Sequence, residues 1–109
     1  MYYTYILRCE NDTLYTGITT DVKRRMDEHF GKKSVGAKYT KSHTAKRLEA
    51  VWESADRSLA SKLEARIKQL KRVNKELLIR ENDLSLMPEI SPDDYKRADV
   101  SEFIPLTSE

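Results

Sequence analysis

The chain has 109 residues, 39% hydrophobic and 35% charged, with a formal net charge of +2. That suits one domain with a modest core and argues against a disordered chain. No run of about 18 apolar residues occurs, and MYYTYILRC has neither a cationic lead-in nor a small-residue cleavage site, so neither a membrane span nor a signal peptide is expected. The single Cys9 excludes an internal disulfide framework and a cysteine-based zinc site, and a reduced, cytoplasmic setting is the expectation.

In chain order, residues 2–8 (YYTYILR) are aromatic and β-branched and predict a strand. Asn11-Asp12 supplies turn chemistry, and residues 14–18 predict the second strand of a hairpin ending near Gly17. Alternation puts Tyr3, Tyr5 and Leu7 on one face of the first strand, and Tyr15 with Gly17 on one face of the second. Asp21 is a suitable N-cap for a helix whose buried stripe is Val22, Met26 and Phe30. Arg25 and His29 are also four apart and lie beside that stripe, at the edge of the core. Residues 31–44 (GKKSVGAKYTKSHT) predict a loop, and residues 48–52 (LEAVW) a third strand. Asp56 or Ser58 caps a second long helix with the stripe Leu59, Leu63, Ile67 and Leu70 and with Glu64 beside it. A further helix is expected over residues 73–82, after a break near Asn74. Three prolines and repeated acids from Asp83 predict an extended tail whose Phe103, Ile104 and Leu106 could dock back.

The expected organisation is therefore a small α/β domain over residues 1–82, with a three-stranded, mainly antiparallel sheet flanked by helices in the order β-β-α-β-α-α. Residues 83–109 form an acidic, proline-containing tail. Residues 1–82 hold 18 basic against 11 acidic side chains, and residues 83–109 hold 2 against 7. A basic body of this kind suits a polyanionic partner, although lysines and arginines that merely solvate helix faces give the same balance.

Tyr5 and Tyr15 fall on paired strands with a short route to Arg25. A cation beside a tyrosine favours the phenolate, which can act as a general base on water. A guanidinium can bind a phosphate bidentately and stabilise charge in its transition state. A lone carboxylate such as Glu64 can hold a hard cation such as Mg²⁺ that keeps several of its waters. Together these suggest phosphodiester hydrolysis, against the plain alternative that strand tyrosines are half-buried packing residues.

YTY at 3–5 and YTG at 15–17, followed by Arg25 and His29, resemble the signature of the GIY-YIG nuclease superfamily. YTYILRC, LYTGIT, the KRR–EH helix, GAKYT at 36–40 and the helix carrying Glu64, Ile67 and Lys68 are similar to its small single-domain bacterial YhbQ-like group, over residues 2–80 or so. The resemblance implies a metal-dependent DNA endonuclease-type domain working with Mg²⁺ or Mn²⁺; it does not carry over a target, and structured or damaged DNA, in repair or processing, is the expectation. It places the general base on Tyr15 and an assisting or water-orienting role on Tyr5. It gives phosphate contact to Arg25, a further site position to His29 and the metal to Glu64. The first motif departs from the pattern, reading Tyr-Thr-Tyr for Gly-Ile-Tyr. The family's late asparagine has no clean match, Asn74 being nearest.

Each residue also has a structural reading. Arg25 can pair with Glu28 or Asp21, His29 can cap the helix, and Glu64 can pair with Lys68, while Gly17 serves both ends by letting the backbone turn closely beside the site. Lys38, Tyr39, Lys41, His43, Lys46 and Arg47 form a basic strip with an aromatic residue in it, suited to a nucleic-acid backbone and a stacked base or else to a solvated loop. Two rivals to a nuclease follow. One is a nucleic-acid-binding module that keeps the fold without turnover; the other is a protein-interaction adaptor working through its acidic tail.

Overall fold

The computed structural model describes residues 1–30 and 45–104. Strand β1 (Tyr2–Cys9) pairs antiparallel with β2 (Leu14–Thr19) on one side and with β3 (Ala45–Ser54) on the other. A fourth strand, β4 (Lys96–Ala98), adds to β3, so the sheet order is β2-β1-β3-β4. The β1–β2 connection closes as a tight turn, with the Asp12 amide donating to the Cys9 carbonyl at 2.8 Å and Asp12 itself at φ 66°. An aspartate tolerates that left-handed geometry better than most residues.

Helix α1 (Val22–Phe30) starts where the Asp21 carboxylate accepts the Arg24 amide at 3.1 Å. It covers the sheet face that carries Tyr5 and Leu7, burying Val22 and Met26 against Leu48 and Val51. Helices α2 (Arg57–Gln69) and α3 (Arg72–Glu81) serve the opposite core, around Ile6, Ala50, Trp52, Leu63, Ile67 and Leu78. Asp56 caps α2, accepting the Leu59 amide at 2.9 Å, and the break before α3 falls at Leu70–Lys71 rather than at Asn74.

Strand β3 hides an irregularity that alternation does not reveal. Ile6 faces Ala50 but Leu7 faces Leu48, so the β3 register slips at Glu49. A bulged residue resets the alternation beyond it. Leu48 and Val51, three apart, therefore share the α1 face, while Ala50 and Trp52 point to the α2 face. The displaced Glu49 meets Arg8, whose side chain is only 10% exposed. Arg8 also reaches Asp12 at 2.8 Å and Glu76 at 2.6 Å, and Arg72 binds Glu76 at 2.9 Å, tying the hairpin to α3.

The expected α/β class with an antiparallel sheet holds, but the sheet has a fourth strand and residues 83–104 are not an extended tail. Among residues 83–104, Leu84, Met87, Ile90 and Tyr95 enter the core around Trp52, and β4 extends the sheet. The Tyr95 hydroxyl donates to the Leu59 carbonyl at 2.7 Å, and Arg97 stacks on Trp52 while donating to the Ile79 carbonyl at 3.0 Å. Apolar residues spaced among acids and prolines suit short 3₁₀ turns, which bury single side chains without any helical stripe to reveal them.

Candidate active site

On the α1 face of the hairpin, Tyr5 lies directly opposite Gly17, and Tyr15 lies opposite Leu7. Glycine at 17 is a steric requirement. A Cβ there would stand 2.7 Å from the Tyr5 hydroxyl oxygen and 3.1 Å from the Tyr15 ring. The missing side chain lets the Tyr5 ring lie across β2 and bring its hydroxyl to α1.

His29 comes from the last turn of α1 and is 1% exposed. Its Nε2 is 3.0 Å from the Tyr5 hydroxyl oxygen. Tyr15 packs beside Tyr5 with its ring tilted by 51°. The three rings form one cluster, with centroids 6.1 Å apart for Tyr5–Tyr15, 5.8 Å for Tyr5–His29 and 5.7 Å for Tyr15–His29. His29 is thus inside the core rather than at its edge, and its ring engages a tyrosine from the sheet.

The electrostatics follow from this burial. Removal from water disfavours the charged form of each group. His29 is lowered from 6.5 to about 4, first by burial and then by the Arg25 charge, so its imidazole is neutral at pH 7. The Tyr5 hydroxyl is pushed far up, chiefly by burial and then by Tyr15, with Arg25 pulling the other way and Glu64 adding to the rise. The expectation that an arginine would ease ionisation therefore does not hold at Tyr5, where desolvation outweighs the cation.

Arg25 is half-buried, with Nη1 3.2 Å from the Glu28 carboxylate. Its Nε is buried and has no hydrogen-bond partner among the described residues. The structural pairing with Glu28 is real, and it leaves part of the guanidinium unspent. Glu64 lies on α2, with its side chain 24% exposed and 3.3 Å from the Lys68 ammonium. Although α2 packs on the other face of the sheet, the Glu64 charge is felt at Tyr5. Among the described residues no group of three or more His, Cys, Asp or Glu is arranged to hold a metal ion. A single carboxylate still suits Mg²⁺ or Mn²⁺, which commonly take one or two protein ligands and complete the shell with water and substrate phosphate.

The structure thus brings Tyr5, Tyr15, Gly17 and His29 into one cluster, with the charges of Arg25 and Glu64 acting on it. Of the basic strip, Lys38, Tyr39, Lys41 and His43 lie outside the described residues. Lys46 and Arg47 are exposed on β3, and Arg47 is engaged with Glu49 at 3.0 Å. Asn74 sits half-buried in the first turn of α3. The Tyr5–His29 hydrogen bond joins a strand to a helix, and the four-residue spacing of Arg25 and His29 within α1 does not reveal it.

A family model described as the GIY-YIG catalytic domain matches residues 1–76, and the chain belongs to that family, whose fold is of nuclease type. Its relatives include the UPF0213 proteins. Protein FN1575 of Fusobacterium nucleatum is 44% identical over 82 residues, covering 75% of this chain and 80% of the relative. Protein VNG_2274C of Halobacterium salinarum is 44% identical over 78 residues, covering 72% of this chain and 99% of the relative. The solution NMR structure of UPF0213 protein BH0048 from Bacillus halodurans is 41% identical, covers 73% of this chain and 84% of that one, and has a TM-score of 0.47.

Proposed function

We propose that this chain is a divalent-metal-dependent endonuclease that hydrolyses DNA phosphodiesters, acting on structured or damaged DNA. The observation that carries the reading is the buried Tyr5–His29 hydrogen bond, with the half-buried Tyr15 ring and Gly17 packed against it and the Arg25 charge acting on it.

In the hydrolytic step Tyr15 is the general base. As the water oxygen attacks phosphorus, the water proton goes to the Tyr15 oxygen, the Tyr15 proton to Tyr5, and the Tyr5 proton to Nε2 of His29. The phosphorus–oxygen bond opposite the attack breaks, and the departing oxygen takes a proton from solvent. Tyr5 serves as a relay because burial keeps it protonated at rest. His29 serves as the acceptor because it is neutral at rest. Arg25 binds the scissile phosphate, and the phosphate charge then offsets the guanidinium that helps depress His29, so the imidazole becomes more basic when substrate is present. Glu64 is the residue that would hold Mg²⁺ or Mn²⁺, and an ion bound there supplies charge stabilisation at the leaving oxygen.

The alternative is a nucleic-acid-binding module without turnover, and one pair of observations favours it: Glu64 is engaged by Lys68 and Arg25 by Glu28. The test is a panel of labelled single-stranded, duplex, flap and branched DNAs, incubated with Mg²⁺ or Mn²⁺ and with chelator. Glu64→Ala and Tyr15→Phe proteins are run alongside. Metal-dependent cutting that both substitutions abolish is the expected result. Salt-sensitive binding without cutting, equal in all three proteins, would replace the nuclease by the binding module.

A further inference from the structure

We propose that Lys68 is the resident cation of the Glu64 carboxylate, holding it aligned in the free protein and competing with a divalent ion for it. The inference rests on the reading of Glu64 as the metal ligand.

Glu64 and Lys68 are four residues apart on α2, with Glu64 Oε2 3.3 Å from Lys68 Nζ. Glutamate on the N-terminal side is the favourable order for such a helical pair. The two ends differ in freedom. Glu64 is 24% exposed and stands beside Ala60, Leu63 and Ile67, all wholly buried, whereas Lys68 is 56% exposed. Among the described residues Lys68 is the ion-pair partner of Glu64, while the nearby Arg66 is directed to Glu89 at 3.6 Å and to Gln69 at 3.1 Å.

A partly desolvated carboxylate whose charge reaches a buried tyrosine needs a cation nearby. An ammonium on a four-carbon stem meets that need and can leave by a change of rotamer, with no movement of the helix. A divalent ion entering at Glu64 must displace it, and ammonium and metal repel each other if both remain. Apparent metal affinity is therefore reduced by the fraction of molecules in which the pair is closed. A phosphodiester at the site changes this balance by giving the freed ammonium another anionic partner and the metal further oxygen ligands. Ion and nucleic acid then bind with positive coupling, so the carboxylate is charged with metal mainly when substrate is present.

The test is a Mn²⁺ titration of the full chain without DNA, followed by paramagnetic broadening of the backbone amide signals around residue 64. Wild type is compared with Lys68→Met, Lys68→Arg and Glu64→Gln. The Lys68 side chain is mostly in solvent, so its substitutions leave the fold intact. Glu64→Gln should abolish the local broadening. Lys68→Met should tighten Mn²⁺ binding by about two-fold from loss of the pair, and by more because the repulsion also goes. Lys68→Arg, which keeps the charge, should not tighten it. Broadening that depends on Glu64 but has the same midpoint in Lys68→Met overturns this inference and leaves the nuclease reading standing. Broadening indifferent to Glu64 overturns both this inference and the assignment of the metal to Glu64.

Discussion

Acidification should destabilise the protein through one buried imidazole. His29 is 1% exposed and is lowered from 6.5 to about 4 in the folded chain. Well above pH 6.5 it is neutral both folded and unfolded and contributes little pH dependence. Between pH 6.5 and 4 the unfolded chain takes up a proton that the folded chain refuses, so stability falls as pH falls. Linkage over those two values gives a loss of about 2 kcal/mol between pH 7 and pH 5, and about 3 kcal/mol by pH 4. The Glu76 carboxylate, held near 2 by Arg8 and Arg72, loses its own contribution only at lower pH, as pH falls from its ordinary 4.5 towards 2. The interval from pH 7 to 5 therefore isolates the histidine. Urea unfolding at pH 7, 6 and 5 can be followed by the fluorescence of Trp52, the single tryptophan and fully buried. The wild-type chain is compared with His29→Gln, both in a His43→Gln background so that no other histidine titrates. Stability should drop with pH in the chain that keeps His29 and stay nearly flat in the other. Parallel curves would refute the argument and mean that the ring is charged, or hydrated, in the folded state.

Three other outcomes follow from the packing. Gly17→Ala sets a methyl group 2.7 Å from the Tyr5 hydroxyl; overpacking of this kind costs about 1–3 kcal/mol, visible in thermal melts, and cleavage should fall with it. Ending the chain at residue 83 removes Leu84, Met87, Ile90 and Tyr95 from the Trp52 core. At about 1.5–3 kcal/mol per buried apolar side chain, that loss rivals the whole stability of a small domain, so near-UV circular dichroism should show no fixed tertiary structure. Glu76→Gln should lower stability at pH 7 yet flatten its decline between pH 4.5 and 2, because the depressed carboxylate is then absent; an unchanged acid limb in urea titrations would contradict that.

Much of the fold was legible locally. The hairpin, α1 behind Asp21 and α2 behind Asp56 follow from alternation, stripe and cap, all of which act over a few residues. The candidate site was legible mainly through the motif spacing that sets Tyr5, Tyr15, Arg25 and His29 in order. Other features were hidden because their causes are non-local. The slip at Glu49 depends on pairing with β1 and on the Arg8 ion cluster, whose members are scattered from residue 8 to residue 76. The C-terminal segment looked like a tail because its apolar residues follow neither helical nor strand period, yet each finds its own gap beside Trp52.

The sequence by itself determined the kind of domain this is and which residue types stand at the candidate site. Their ionisation was decided only by the tertiary structure. A spacing can place an arginine near a tyrosine, but whether the hydroxyl gains or loses acidity depends on the balance of charge against desolvation. Desolvation is a property of everything packed around the group. At Tyr5 and His29 the surrounding core outweighs the neighbouring cation, holding one protonated and the other neutral.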